Sequence, residues 1–309
     1  MMIANANAYD ELMEFQRDTE ALGEVAGRLG WDQETMMPEG ASDQRAAEHA
    51  AMSKVLHARM TDPQIADWLE RAKPEGAVAK ANLRHMRRNY EKTMKVPARL
   101  AAEIASTTSK AHRIWAGARR DEDVAAFIPV LEKVVALRIE EAQALAEGGD
   151  LYDALLDNYE PNANGAQIAA MFAALRPGLV ELREAVLAAK APMQLSGEFA
   201  EEAQLKLSQE LALAFGYDLN HGRIDKAVHP FSSGSGQDVR ITTRTSLTDP
   251  FNCFYSTIHE VGHAAYEQGI DEAYLLTPLG RGVSMGVHES QSRIYENQIG
   301  RSQIGRAHV

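Results

Sequence analysis

The chain has 309 residues, room for one large or two ordinary domains. Apolar residues make up 45% and charged residues 25%, a balance that supplies a core and excludes intrinsic disorder. The 44 acidic and 32 basic residues leave a net charge of −12, so no general field draws the chain to nucleic acid or to an anionic membrane surface.

Residues Met1 to Asn7 carry no basic patch and no apolar run, so no secretory leader is expected. From there to residue 220 the sequence reads as helix after helix, rich in alanine, leucine, glutamate and arginine. Apolar residues recur at three- and four-residue spacing: Leu12, Phe15, Leu22, Val25 and Leu29, then Val124, Phe127, Val130, Leu131, Val134 and Val135. Breaks are expected at Met37-Pro38-Glu39-Gly40, at Asp62-Pro63 and at Glu160-Pro161-Asn162. Asp62 suits a helix cap with proline at the first helical position. No repeat and no low-complexity linker divides this region. No run approaches the roughly 18 apolar residues of a membrane-spanning helix. The single cysteine, Cys253, reads as a small buried hydrophobe and points to a reducing, cytoplasmic setting.

Past residue 221 the character changes. His229-Pro230-Phe231 precedes a glycine-serine stretch, Ser232 to Gly236, that reads as a loop. The β-branched alternation Val239 to Thr245 reads as a short strand, ended by Asp249-Pro250. Phe251 to Gln268 reads as a helix stopped by Gly269, and a last helix spans about Ser284 to Gln298. The fold class expected is mainly α, with a small strand feature beside one special helix.

That helix carries His259-Glu260-Val261-Gly262-His263. Residues four apart lie about 40° apart around an α-helix, so the two imidazoles share a face and can hold one zinc ion. Glu260 lies beside that face, in reach of a water at the metal as general base. Phe254, Tyr255, Ile258, Val261, Ala264 and Ala265 make the helix apolar nearly all round. Burial of two histidines and a glutamate there needs a strong partner. Zinc hydrolases generally supply a third protein ligand. The extended motif with a third histidine is excluded, because Tyr266 and Gly269 stand where its glycine and histidine would be. Glu267, Asp271 and Glu272 are too close to fold back without breaking the helix. Glu289 is 26 residues past His263, enough for a loop and a second helix; Glu296, two turns further, is its rival. His288 points to another side, as a substrate contact or as an orienting partner of Glu289.

Four motifs stand in order: His229-Pro230-Phe231, Asp238-x-Arg240-x-Thr242, His259-Glu260-x-Gly262-His263 and His288-Glu289-Ser290-Gln291. Together with Gly30-Trp31-Asp32-Gln33-Glu34-Thr35-Met36-Met37-Pro38, they resemble the M32 metallocarboxypeptidases, the carboxypeptidase Taq family, over roughly residues 8 to 302. The resemblance implies a large, mostly helical, zincin-like fold of the gluzincin type with a deep groove, and usually a homodimer. It implies His259, His263 and Glu289 as metal ligands and Glu260 as catalytic base. It also implies one Zn²⁺ per chain, or Co²⁺ or another divalent ion, and removal of C-terminal residues from peptide substrates. Two later signatures of the family, I-R-x-x-A-D and G-x-x-Q-D-x-H-W, do not occur here. The last residues, Ile304 to Val309, read as translated adapter sequence. The expectation is a single, incomplete catalytic domain over 1–303 with a non-native tail at 304–309.

A carboxypeptidase needs a cation for the substrate's terminal carboxylate, and Arg240 on the strand is a candidate for it, or a strand arginine paired with Asp238. His229 is a candidate donor to an oxyanion or substrate carbonyl, or a loop-packing residue. Arg281 and the Arg87-Arg88 pair read as solvated, and Tyr255 and Tyr266 as core. No nucleophile elbow or phosphate loop is present. An endo-oligopeptidase with the same zinc chemistry and an inactive metal-binding fragment are the rival readings. No nucleic-acid or membrane partner is expected.

Overall fold

The computed structural model describes residues 7–191, 193 and 195–303. The expected tail at 304–309 lies outside the described residues. The N-terminal body is helical from its first described residues: α1 (Ala8–Thr35), α2 (Ser42–Met60), α3 (Pro63–Arg71), α4 (Gly76–Lys95), α5 (Ala98–Arg120), α6 (Val124–Ala146), α7 (Leu151–Leu156), α8 (Gly165–Ala188) and α9 (Glu201–Ala214). Caps set the starts. The Asn7 side chain accepts from the backbone N–H groups of Tyr9 and Asp10, and Asp62 accepts from Gln64 ahead of Pro63, as the sequence predicts. Leu12 and Met13 of α1 pack with Ile65 and Leu69 of α3 and Met86 of α4. Leu100 and Ile104 of α5 pack with Leu137 of α6.

Two apolar stripes do not become core. Val124, Leu131 and Val135 of α6 are exposed, and only Leu137 and Ala142 of that helix are buried. Helix α8 buries no residue, and Met171, Phe172, Leu175, Leu179, Leu182 and Val186 stand in the open. Helical periodicity correctly marks these segments as helices. It does not say that a partner face exists within the described residues.

The C-terminal part holds the sheet and the special helix. Strands β1 (Ile224–Lys226), β2 (Ser232–Ser235) and β3 (Asp238–Thr243) lie in the order β1-β3-β2. β3 runs parallel to β1 and antiparallel to β2, with Ser232 opposite Ile241 and Ser235 opposite Asp238. The glycine-serine stretch is therefore a strand and not the loop its composition predicts. Its weak strand propensity is overridden by pairing with β3 through the two-residue turn Gly236-Gln237. Gly234 is required there: its φ is +101°, and a Cβ would lie 2.0 Å from the Asp238 carbonyl oxygen. Val239 and Ile241 of β3 pack with Ala212 of α9, Tyr217, and Val261 and Ala264 of α10 (Pro250–Gln268). The hydroxyls of Thr243 and Thr257 meet at 3.0 Å and tie β3 to α10. Helix α11 (Met285–Arg293) crosses α10 and continues as a π-helical stretch, Ile294–Gly300. The result is a mainly helical protein whose small sheet backs one central helix.

Candidate metal centre

Helix α10 starts at Asp249, whose side chain accepts from the Asn252 N–H, with Pro250 in the first turn. It stops at Gly269. Its apolar sides are consumed by the sheet, α9 and α11, which leaves His259 and His263 on one face, partly buried, with Glu260 5% exposed beside them. Helix α11 reaches this face because α10 has no side chain at Gly262. A Cβ there would lie 2.5 Å from the Ser292 Cα and 3.1 Å from the Gln291 carbonyl oxygen. That approach of backbone to backbone brings Glu289 to the histidines. Its Oε2 lies 3.1 Å from His263 Nε2 and 3.5 Å from His259 Nε2, and the three donor atoms all fall within 4.8 Å of one another.

The rear of each ring is also held. His259 Nδ1 lies 3.0 Å from Glu296 Oε2, and His263 Nδ1 lies 2.6 Å from His288 Nδ1. His288 Nε2 is in turn 2.8 Å from Glu267 Oε1. Arg301 and Arg293 grip Glu296 at 2.7 and 3.0 Å, and Arg293 also donates to Glu289 at 2.8 Å.

This donor set fits a divalent cation. With protons on the Nδ1 atoms facing Glu296 and His288, both Nε2 lone pairs point at a carboxylate oxygen. Three electron-pair donors facing one another repel unless a cation lies between them. Donors about 2.1 Å from a tetrahedral ion sit roughly 3.4 Å apart, near the separations observed. Burial, and then the neighbouring His288 and His259, lower His263 to about 4, which keeps its ring neutral and free to ligate. Burial works to raise Glu289, but Ser292, His259 and Arg293 outweigh it and hold it as a carboxylate below its usual range. Glu260 makes no hydrogen bond or ion pair with the described residues. Burial, helped by the negative Glu289 and Glu296, pushes it up to about 8.

Two cavities meet at this cluster. The larger, about 930 Å³, runs between β2, the α4 residues His85, Arg88 and Asn89, and the 278–285 loop. The smaller, about 380 Å³, is lined by Arg244, Phe251, Tyr255, Arg293 and Arg301. His229, Pro230, His259 and Glu260 line both, so Glu260 sits at their junction.

The residues singled out from sequence divide accordingly. His259, Glu260, His263 and Glu289 come together, and Glu296 stands behind His259. His229 is exposed at the junction, with Nδ1 2.7 Å from the Pro230 carbonyl oxygen. His288 lines the larger cavity, but its ring nitrogens face His263 and Glu267, and it does not orient Glu289. Arg240 lines neither cavity. It pairs with Asp238 through two bonds of 2.7 and 2.8 Å, 5.7 Å over the Trp31 ring. Asp238 and Arg240 are two apart on one strand and share a face, so the pairing has a local cause. The strand edge along the groove is β2, not β3. Arg281 is paired with Glu20 and Glu24 of α1, and Arg88 with Asp157, where solvated arginines were expected. Sequence reasoning missed the parts of Glu267 and Arg244. Glu267 had a signal, because it stands four residues past His263 and shares its helix face.

The chain is similar to known metallopeptidases. The carboxypeptidase Taq (M32) metallopeptidase family matches residues 11–304. The chain is 43% identical to thermostable carboxypeptidase 1 of Thermus thermophilus, over 96% of this chain and 62% of that protein. It is 33% identical to carboxypeptidase 1 of Bacillus subtilis, over 90% of this chain and 57% of that protein. The crystal structure of an M32 carboxypeptidase from Deinococcus radiodurans R1 superposes with a TM-score of 0.84 at 38% identity, covering 96% of this chain and 61% of that one. The chain thus spans about three fifths of the length of the curated relatives it matches. The helical architecture and these matches agree: the chain belongs to the carboxypeptidase Taq (M32) metallopeptidase family.

Proposed function

We propose that this chain carries the metal centre and catalytic base of a zinc-dependent carboxypeptidase that releases C-terminal residues from peptides. The observation that supports it most is the convergence of His259, His263 and Glu289 donor atoms beside a buried, unpaired Glu260. When bound, zinc supplies Lewis-acid polarisation of a carbonyl and acidification of water. Glu260 is the group that takes the proton of the attacking water on a carboxylate oxygen and passes it to the departing amine nitrogen. A carboxyl whose burial lifts it to about 8 holds that proton readily, and a cation beside it draws it back toward the ionised form. His229 lies at the junction of the cavities and gives its Nδ1–H to the Pro230 carbonyl, so it would donate to a substrate carbonyl through Nε2 only as the imidazolium. Among the described residues β2 has no strand partner on its second side, and Ser232–Ser235 line the groove, which suits an extended peptide laid along that edge. Arg244, which donates to Asn252 and has no carboxylate partner among the described residues, takes the place of Arg240 as the cation in the cavity that Glu260 also lines.

A homodimer is the family expectation, and the bare apolar faces of α6 and α8 are compatible with it; light scattering on the purified chain measures it. A cytoplasmic location rests on the single buried thiol, Cys253. The test of function is Glu260→Gln. It is expected to retain about one zinc per chain and to lose release of the C-terminal residue from an N-blocked peptide. A variant that turns over normally refutes the assignment. Wild-type products that are internal fragments and not single residues favour an endo-oligopeptidase, and zinc without turnover in the wild type favours an inactive metal-binding fragment.

A further inference from the structure

The geometry points to His288 as a positioning residue for the metal centre. Held by Glu267, it fixes which nitrogen of His263 carries the proton and so delivers the other one to the ion. The inference rests on the metal-centre reading above. His263 Nδ1 and His288 Nδ1 are 2.6 Å apart, a distance at which one carries hydrogen and the other offers a lone pair. The Glu267 carboxylate decides which. It has no hydrogen to give, so His288 Nε2, 2.8 Å away, donates to it. In a neutral His288 ring Nδ1 is then the acceptor, His263 Nδ1–H the donor, and His263 Nε2 is left bare toward Glu289.

The ring of His288 is also fixed in place. It lies between the rings of His263 and Tyr266, with centroids 4.8 and 4.7 Å away. Its edge touches the chain at Gly282, where a Cβ would stand 2.7 Å from His288 Cδ2. Glu267, at 8% exposed, is on the same helix as His263 and one turn on, so the relay is anchored to the element that carries the ligand. His259 has a shorter version of the device, its Nδ1 facing Glu296 directly. The two ligand rings are thus oriented from behind by different means.

A packing role predicts the opposite order of mutant effects. Phenylalanine fills the slot beside Tyr266 but can neither accept from His263 nor donate to Glu267. Glutamine packs less well but offers one acceptor and one donor. The experiment measures zinc affinity of the full chain by competition with a chromogenic chelator, together with the visible absorption spectrum of the cobalt-loaded protein. His288→Phe is expected to weaken zinc about 10- to 100-fold and to alter the cobalt bands, while His288→Gln stays within about threefold of wild type. Glu267→Met, which leaves His288 in place without its acceptor, is expected to weaken zinc in the same direction and serves if His288→Phe does not fold. Affinity in His288→Phe equal to or better than in His288→Gln, or unchanged affinity in Glu267→Met, overturns the inference and leaves the metal-centre reading standing. A folded wild type that takes up no zinc overturns both.

Discussion

Substituting Gly262 by alanine is the sharpest test of how the centre is assembled. In an ordinary helix interior the change is stabilising by about 0.5–1 kcal/mol, because glycine is the poorer helix former. Here the added Cβ would sit 2.5 Å from the Ser292 Cα and 3.1 Å from the Gln291 carbonyl oxygen and the Tyr295 Cβ. Ordinary contact needs about 1 Å more, and the nearest atom is backbone, so α11 itself has to move. Overpacking of this kind costs about 1–3 kcal/mol, which outweighs the propensity gain. The displacement is carried to Glu289, whose Oε2 is 3.1 Å from His263 Nε2, whereas ligand distances tolerate only about 0.2 Å. Gly262→Ala is therefore expected to lower the apo-protein's stability by roughly 1–2 kcal/mol and to weaken zinc by at least tenfold, about 1.4 kcal/mol. Thermal unfolding of the metal-stripped protein and chelator competition read the two effects separately. A variant with raised melting temperature and unchanged zinc affinity refutes the claim that Gly262 sets the α10–α11 contact.

Glu289→Ala is expected to weaken zinc by more than about 100-fold, and Glu296→Gln by no more than the 10- to 100-fold of an outer contact; chelator competition on the pair shows whether their roles are the reverse. Asp157 joins α7 to α4. Its partial burial works to raise it, but the Asn162 N–H, Lys92 and Arg88 outweigh that and hold it at about 2 against an ordinary 3.8. A depressed carboxyl contributes stability that is complete above pH 4 and is lost as the pH falls toward 2. For a shielded group the gap is worth about 2.4 kcal/mol, and solvent contact reduces it to about 1 kcal/mol. Acid titration of unfolding should show that loss in wild type and a flatter profile over the same range in Asp157→Asn. Gly234→Ala is expected to cost about 1–3 kcal/mol, since a left-handed φ and a clash with Asp238 coincide there; an unchanged melting temperature counts against the β2–β3 hairpin.

The site was legible where chemistry and spacing coincide. Two imidazoles four apart on a helix that is apolar elsewhere leave few uses but a cation, and the distance to Glu289 allows a loop and a second helix. Glu296 was legible as a neighbour, since seven residues return to the same face as Glu289. Its place behind His259 depends on the π-helical stretch, which no pattern in Ile294–Gly300 announces. The strand β2 was illegible because Ser-Ser-Gly-Ser has little intrinsic preference, and long-range pairing with β3 decides it. Arg240 misled because an arginine beside a catalytic helix suggests a ligand, whereas Asp238 on the same strand face had already claimed it. The stripes of α6 and α8 are visible as periodicity, but only three-dimensional contact tells a core face from a bare one.

The proposed centre would draw two ligands from α10 and one from α11, and the chain between them, residues 269–284, returns by way of Arg281 clasped to Glu20 and Glu24. An ion shared by the two helices would act as a reversible cross-link on that excursion. Unlike a disulfide it would not constrain the unfolded chain; it would hold the folded excursion by mass action and come and go with metal supply. Residues of the 278–284 segment form a wall of the larger cavity, so such a cross-link would tighten the surface that faces the groove. Metal occupancy would then tune local rigidity. Stripping the ion should open 269–284 to proteases before it melts the helical body, and cut sites in that window would map where this staple holds the fold.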